Sequence, residues 1–311
     1  MLGTDLRGVS LLKPTHREVS FVEKEVKWRW SKLCSAYPDL SVKPSYLVSF
    51  WFVPPYMKKD PSITLSEFYD LEALDGDFVL DSGAYSAANK GKSIDIYAYA
   101  DYCQAAMQYE SRLSEIFTLD VPPYGPTAGD WKTTQKNTEF LWKRNIPAIP
   151  VYHVGEPVEV LKDMASSYPK ISLGGAVGML DKLTWAERCF AEVWPKRIHG
   201  LGFSGKKAML RLPFETLDSS TMSMAIKFAR LSGGFTRQKK FRMNSTPTGY
   251  VTPGKFISSE LANHTKKIDS YAWRADIATS GMKSRIDSEI QARKKWESLW
   301  EKLKTQHLSA Q

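Results

Sequence analysis

Phe78-Val79-Leu80 ends abruptly on Asp81, and the turn residues Ser82-Gly83 follow at once. A short apolar run bounded by turn residues reads as a buried strand. An acid at its C-terminal end is poorly explained by packing, because a buried carboxylate must find partners or neutralise. The arrangement recurs twice. Ile116-Phe117-Thr118-Leu119-Asp120 runs into Val121-Pro122-Pro123, and Pro213-Phe214-Glu215-Thr216-Leu217-Asp218 runs into Ser219-Ser220-Thr221. Aspartate is a good N-cap, so any one of these acids is accounted for by a following helix. Three of them at strand ends point instead to carboxylates gathered at one rim of a sheet or barrel.

The rest of the chain alternates in the same way. Strands are expected at 46–53, 78–81, 116–120, 147–152, 170–173, 197–203 and 213–218. Helices are expected at 94–113, 131–144, 158–167, 185–193, 206–211 and 223–231. Strands alternating with helices at this spacing define a parallel α/β architecture. A doubly wound sheet and an eight-stranded barrel both fit; acids at the ends of several strands favour the (β/α)8 barrel. An eighth strand is weakly marked and is placed near 254–258. Residues 1–44 read as an N-terminal extension with one helix at 18–36. Residues 45–260 form the barrel, with a basic, turn-rich insertion at 234–255. Residues 261–311 form a C-terminal extension whose helix, at 283–304, is expected to dock on the body.

Composition narrows the setting. No apolar run approaches the about 18 residues that span a bilayer, and Asp5, Arg7 and Lys13 interrupt the start of the chain as no secretory signal does. Three cysteines, Cys34, Cys103 and Cys189, are too few and too far apart for a disulfide framework or a four-cysteine zinc site. A reducing cytoplasm is the expected compartment. The formal net charge of +9 favours an anionic partner, nucleic acid above all.

Carboxylates serve as nucleophiles, as general acids or bases, or as acceptors for donors on a ligand. Asp-rich sites with few histidines suit magnesium better than zinc, yet no metal is expected here. Leu173-Gly174-Gly175 stands at a strand end, where missing side chains let a flat ligand approach the backbone. His199-Gly200-Leu201-Gly202 is similar, and His153 with Glu156 lies beside the same rim.

These segments together resemble the tRNA-guanine transglycosylase superfamily. Asp81-Ser82-Gly83-Ala84-Tyr85-Ser86 is similar to its Asp-Ser-Gly-Gly-Phe-Gln motif, and Asp120 in Thr118-Leu119-Asp120-Val121-Pro122-Pro123 resembles its base-binding aspartate. Leu173-Gly174-Gly175-Ala176-Val177-Gly178 resembles the Gly-Gly-Leu-Ala-Val-Gly loop, one residue shorter. His199-Gly200-Leu201-Gly202 stands where the family has Met-Gly-Val-Gly, and Asp218 falls at the nucleophilic aspartate. The zinc-binding Cys-x-Cys-x-x-Cys with its later His is missing, and Ser219-Ser220-Thr221-Met222 replaces Leu-Pro-Thr-Arg. Both departures are similar to the phage and bacterial 7-deazaguanine DNA transglycosylases.

The resemblance implies exchange of guanine in DNA for a free 7-deazaguanine base of the preQ0 type, with no cofactor. Asp218 would be the nucleophile and Asp81 the acid and base. Asp120, with Ser82, Gly83, Tyr85, His153, Gly174, Gly175 and Gly202, would bind the base. The same chemistry on tRNA, and a non-catalytic nucleic-acid-binding subunit, remain open alternatives at this point, as does a more distant magnesium-dependent hydrolase.

Arg237, Lys239, Lys240 and Arg242 in the basic insertion are the candidate phosphate contacts. Replacing Lys239, Lys240 and Arg242 with alanine is expected to weaken DNA binding at low salt and to reduce the salt slope by about one per lost contact. Affinity measured against salt concentration checks this; an unchanged slope assigns the loop to solvent.

Overall fold

The structure, a computed structural model, describes residues 5–9, 46–60, 62, 64, 77–123, 129–176, 179–203, 206–219, 288 and 290–297. The expected helices at 18–36 and 223–231, the candidate strand at 254–258 and the basic insertion with Arg237, Lys239, Lys240 and Arg242 lie outside these residues.

Among the described residues the strands are β1 (Asp5–Val9), β2 (Tyr46–Ser49), β3 (Phe78–Asp81), β4 (Leu113–Phe117), β5 (Ala148–Ile149), β6 (Val151–His153), β7 (Lys170–Gly174), β8 (Arg197–Gly200) and β9 (Thr216–Ser219). Every pairing is parallel. One sheet runs β2-β3-β4-β5 and the other runs β6-β7-β8-β9-β1. Only Pro150 separates β5 from β6. The extended segment 148–153 therefore pairs with β4 through its first half and with β7 through its second. The Pro150 carbonyl still accepts from Ser172 N–H at 2.8 Å, but proline has no N–H to give in return. The fold is thus α/β with parallel sheets, as the alternation predicts.

Helices follow the strands: α1 (Pro55–Lys59), α2 (Ala84–Ala88), α3 (Ile96–Tyr109), α4 (Trp131–Lys143), α5 (Val158–Ser167), α6 (Lys182–Val193) and α7 (Lys206–Arg211). Two starts are capped as sequence chemistry dictates. Asp95 accepts from the N–H groups of Tyr97 and Ala98, and Asp130 accepts from Thr133 N–H. Each such cap stabilises a helix by about 1 kcal/mol. Residues 290–297 are helical and dock on the body: Ala292 is fully buried, and Trp296 Nε1 donates to the Met209 carbonyl at 2.8 Å. Cys103 and Cys189 are free and buried. No helix among the described residues is long and apolar enough to cross a membrane.

Strand alternation sorts the side chains into layers. Val48, Phe78, Leu80, Ile116 and Ala148 pack outward against α3 and α4, with Tyr99, Cys103 and Leu141. Tyr152, Ile171, Leu173, Ile198 and Leu217 pack outward against α5, α6 and α7. Their neighbours Leu47, Val79, Phe117, Ile149 and Val151 form a separate inner cluster. Two-residue periodicity then puts Asp81 on the inner face with Val79, and His153 on it with Val151.

Several expectations shift. The strand expected at 46–53 stops at Ser49 and turns into a 3-10 segment, Phe50–Phe52. The strand expected at 116–120 runs from Leu113 to Phe117, so Asp120 lies in the loop beyond it. Polar Ser114 and Glu115 had hidden its start. Residues 5–9, read as irregular, form a strand paired with β9; their Asp, Arg and Gly content gives no alternating apolar signal.

The inner face also holds a charged cluster at the N-terminal ends of the strands. Buried Lys170 Nζ lies 2.6 Å from Glu115 Oε1 and 3.1 Å from Glu215 Oε2, and Arg197 pairs with Glu215. Burial alone raises the Glu215 carboxyl, but Lys170 and Arg197 outweigh it and hold the group below its ordinary value. Breaking a buried pair leaves an uncompensated charge. Lys170→Met is expected to cost about 3–5 kcal/mol in denaturant unfolding. Adding Glu115→Gln should recover part of that loss; full additivity of the two changes would mean that the pair is not coupled.

Candidate active site

Asp81, at the end of β3, is the hub. Its Oδ2 accepts from Gly83 N–H at 2.9 Å, closing a tight turn into α2. Gly83 sits at φ +79°, and a Cβ there would meet Ser49 Oγ at 2.2 Å and Trp51 Cβ at 2.4 Å. Only glycine makes this turn. Burial, then the negative charges of Asp120 and Asp218, push the Asp81 carboxyl up to about 7, while the Gly83 N–H pulls the other way. Three carboxylates from three separate parts of the sequence are therefore close enough to feel one another.

Asp120 reaches the rim from a loop pinned by α4. Asn137 Nδ2 donates to the Leu119 carbonyl at 2.8 Å, and Thr134 Oγ1 accepts from Val121 N–H at 2.9 Å. Asp120 Oδ2 lies 2.8 Å from His153 Nε2, and His153 Nδ1 lies 2.8 Å from Glu156 Oε1. Glu156 Oε2 also accepts from His153 N–H at 3.0 Å. Burial favours the neutral imidazole, but hydrogen bonds and charge from Asp120 and Glu156 prevail and raise its pKa to about 9. At neutral pH His153 is a buried imidazolium clamped between two carboxylates. With both nitrogens engaged, it orients Asp120; it has no donor left for a ligand, contrary to the direct base contact expected of it. Folding stability drawn from this charge is fully present below the ordinary value of 6.5 and is lost as pH rises through about 9.

Asp218 lies on β9, 15% exposed. Its Oδ1 accepts from Gly202 N–H at 2.5 Å, in a turn where Gly202 takes φ +69°. Lys182 Nζ donates to the carbonyl of the same Gly202 at 3.0 Å, and its charge is felt by Asp218. One glycine thus binds the carboxylate through its N–H and a cation through its carbonyl. His199 Nε2 faces Asp218 Oδ1 at 3.6 Å, beyond hydrogen-bonding range.

The remaining expected residues divide. Ser82 is fully buried, caps Ala84 N–H at 3.2 Å and stands 3.5 Å from Asp120 Oδ1. Tyr85 is 46% exposed at the start of α2, beside Asp81. Gly174 and Gly175 carry no side chain because protein fills the space. A Cβ on Gly174 would meet Val151 Cγ1 at 2.8 Å, and one on Gly175 would meet Pro123 Cγ at 3.0 Å. Packing thus accounts for the missing side chains, and Gly175 itself is exposed. Among the described residues no group of three or more His, Cys, Asp or Glu side chains is arranged to hold a metal ion.

Lys182 and Thr216 were not singled out by sequence reasoning, and Glu156 and His199 were placed near the rim without a role of their own. The i, i+3 spacing of His153 and Glu156 and the i, i+2 spacing of Thr216 and Asp218 were the available signals. A cavity of about 410 Å³ opens at the opposite end of the strands, between Met107, Trp142, Glu115, Lys170 and Arg197. Its charges already pair with one another or with Glu215, so the rim carboxylates are the better candidate for chemistry.

No protein-family model and no curated protein matches this chain. Among solved structures it is similar to the tryptophan synthase A-subunit of Pyrococcus furiosus, at 13% identity and a TM-score of 0.38, covering 64% of this chain and 84% of that one. It is also similar to a protein of Aquifex aeolicus VF5, at 13% identity and a TM-score of 0.40, covering 71% and 85%.

The raised Asp81 has a thermodynamic consequence. Folded Asp81 holds its proton more tightly than the unfolded chain does, so its contribution turns unfavourable as pH climbs from the ordinary 3.8 to about 7. Each pKa unit corresponds to about 1.4 kcal/mol. Asp81→Asn is expected to stabilise the fold by on the order of a few kcal/mol at pH 8, a gain that shrinks towards zero near pH 4. Melting curves of both proteins across pH check the sign; a gain independent of pH would detach Asp81 from the carboxylate cluster.

Proposed function

We propose that this protein is a transglycosylase that exchanges guanine in DNA for a free 7-deazaguanine base, through a covalent bond between Asp218 and the sugar. The observation that carries the reading is the meeting of Asp81, Asp120 and Asp218 at one end of parallel strands, with Asp81 poised near neutrality. The scaffold is read as a (β/α)8 barrel. In it, β5 and β6 form a single stave and β1 lies beside β2, which makes eight staves with the catalytic groups at their C-terminal ends.

Each carboxylate has a separate task. An Asp218 oxygen attacks the anomeric carbon; the carbon–nitrogen bond breaks, and its electron pair leaves with guanine, which takes the Asp81 proton. The incoming base gives a proton back to Asp81 and attacks the same carbon, which releases Asp218. The two displacements retain configuration, as in a glycosidase with paired carboxyl groups. A group titrating near 7 is suited to donate in one half and accept in the other. Asp120, held in one orientation by His153, accepts from the N1–H and amino group of the purine. The target nucleotide must first leave the stack, at a cost of roughly a few kcal/mol.

DNA is preferred to tRNA because the zinc-binding cysteines of the tRNA enzymes are missing and Ser219-Ser220-Thr221-Met222 follows the nucleophile. The net charge of +9 suits either polymer.

Asp218→Asn should keep the fold and lose exchange by at least about a thousandfold, as when other covalent nucleophiles are removed. Wild type should form a protein–DNA species that survives denaturation, and nucleosides from DNA incubated with the protein and free base should contain the deazapurine by mass spectrometry. Near wild-type exchange by Asp218→Asn would remove Asp218 from its role. Incorporation into tRNA but not DNA would reassign the polymer.

A further inference from the structure

His199 is fully buried on the inner face of β8, packed against the Phe117 ring with centroids 4.6 Å apart. Packing alone does not ask for an imidazole there. Its Nδ1 lies 2.6 Å from Thr216 Oγ1. Its Nε2, equally buried, has no hydrogen-bond partner and faces Asp218 Oδ1 at 3.6 Å. Thr216 Oγ1 in turn accepts from Lys170 Nζ at 2.8 Å, and Lys170 is fixed by Glu115 and Glu215. A file of polar groups thus crosses the apolar interior from the charged cluster at one end to the candidate nucleophile at the other.

The donors give this file a direction. An ammonium only donates, so Thr216 Oγ1 accepts from Lys170 and keeps its own proton to give. Donated to His199 Nδ1, that proton leaves Nδ1 as the acceptor and places the imidazole hydrogen on Nε2. The opposite tautomer would point a lone pair at a carboxylate. Burial holds His199 below its ordinary pKa, against the opposing pull of Asp218, so the ring carries one hydrogen.

We propose that His199 is a positioning residue for Asp218: locked by Thr216 as the Nε2–H tautomer, it aims that N–H at the Asp218 carboxylate, 3.6 Å away in the resting protein, and closes on it as charge builds there. The proposal rests on the reading of Asp218 as nucleophile. Esterified Asp218 is no longer an anion, and the N–H gains little from it. As the incoming base breaks the Asp218–carbon bond, negative charge returns to the carboxylate and the N–H binds it. His199 therefore makes Asp218 a better leaving group in the second displacement, and its own proton stays on Nε2 throughout.

Single-turnover kinetics separates this role from a merely structural one. His199→Leu should slow displacement of the covalent species by incoming base about tenfold, the scale of a hydrogen bond to a charged group, and should slow its formation much less. More protein is then trapped in the covalent form at steady state. His199→Gln, whose amide nitrogen falls near the Nε2 position, should restore the wild-type partition. Nitrogen-15 NMR of wild type should find the His199 hydrogen on Nε2, and Thr216→Val should loosen that preference. Equal slowing of both steps, or a hydrogen on Nδ1 in wild type, overturns the proposal. If His199→Leu fails to fold, the tautomer measurement on wild type and Thr216→Val decides. Absence of any covalent species in wild type removes the nucleophile itself, and is distinguished from failure of the positioning role by its independence from His199.

Discussion

Three carboxylates cannot meet near the C-terminal ends of parallel strands without cost, because like charges raise one another's pKa and burial adds to the effect. Each acid meets this constraint differently. Asp120 is paired with a buried imidazolium, itself held by Glu156. Asp218 is bound by the Gly202 N–H, with Lys182 held by the carbonyl of the same glycine. Asp81 has a single backbone donor and is left with the strain, which appears as a pKa near 7. Division of labour among chemically identical side chains thus follows from what each one touches. A group left short of partners in the folded state is the one that can exchange a proton at physiological pH.

The architecture that gathers these acids depends on alternation within each strand. Leu217 faces the outer helices while Thr216 and Asp218 face inward, and Tyr152 is outward between inward Val151 and His153. A one-residue slip in either strand would turn its polar groups into the helical layer. Register therefore positions the chemistry as strictly as it positions the core. Pinning by α4 does the same for Asp120, which no strand holds.

Much of this was legible in the sequence. Apolar runs closing on Asp81 and Asp218 marked both strands and their polar ends, and the 158–167 and 206–211 helices fall where expected. Asp120 was recognised as a rim acid, although its strand ends three residues earlier. Hidden features were those that need partners distant in sequence. Nothing near Lys170 announces Glu115, and nothing near His153 shows that Asp120 will take its second nitrogen. Strand β1 was missed because charged and glycine positions break its alternation. At the glycine pair 174–175, Val151 and Pro123 fill the space that side chains would take, while Gly175 is exposed.

Pro150 carries a further consequence. It divides one extended segment between two sheets, and the outer apolar clusters divide at the same place, one behind β2–β5 and the other behind β6–β9. Asp81 and the Asp120 loop belong to the first half; His153 and Asp218 belong to the second. The site is thus assembled across a seam at which proline supplies no amide hydrogen to the hydrogen-bond lattice. The contacts that cross it, Asp120 to His153 and Lys170 to Glu115, therefore set how the acids are spaced.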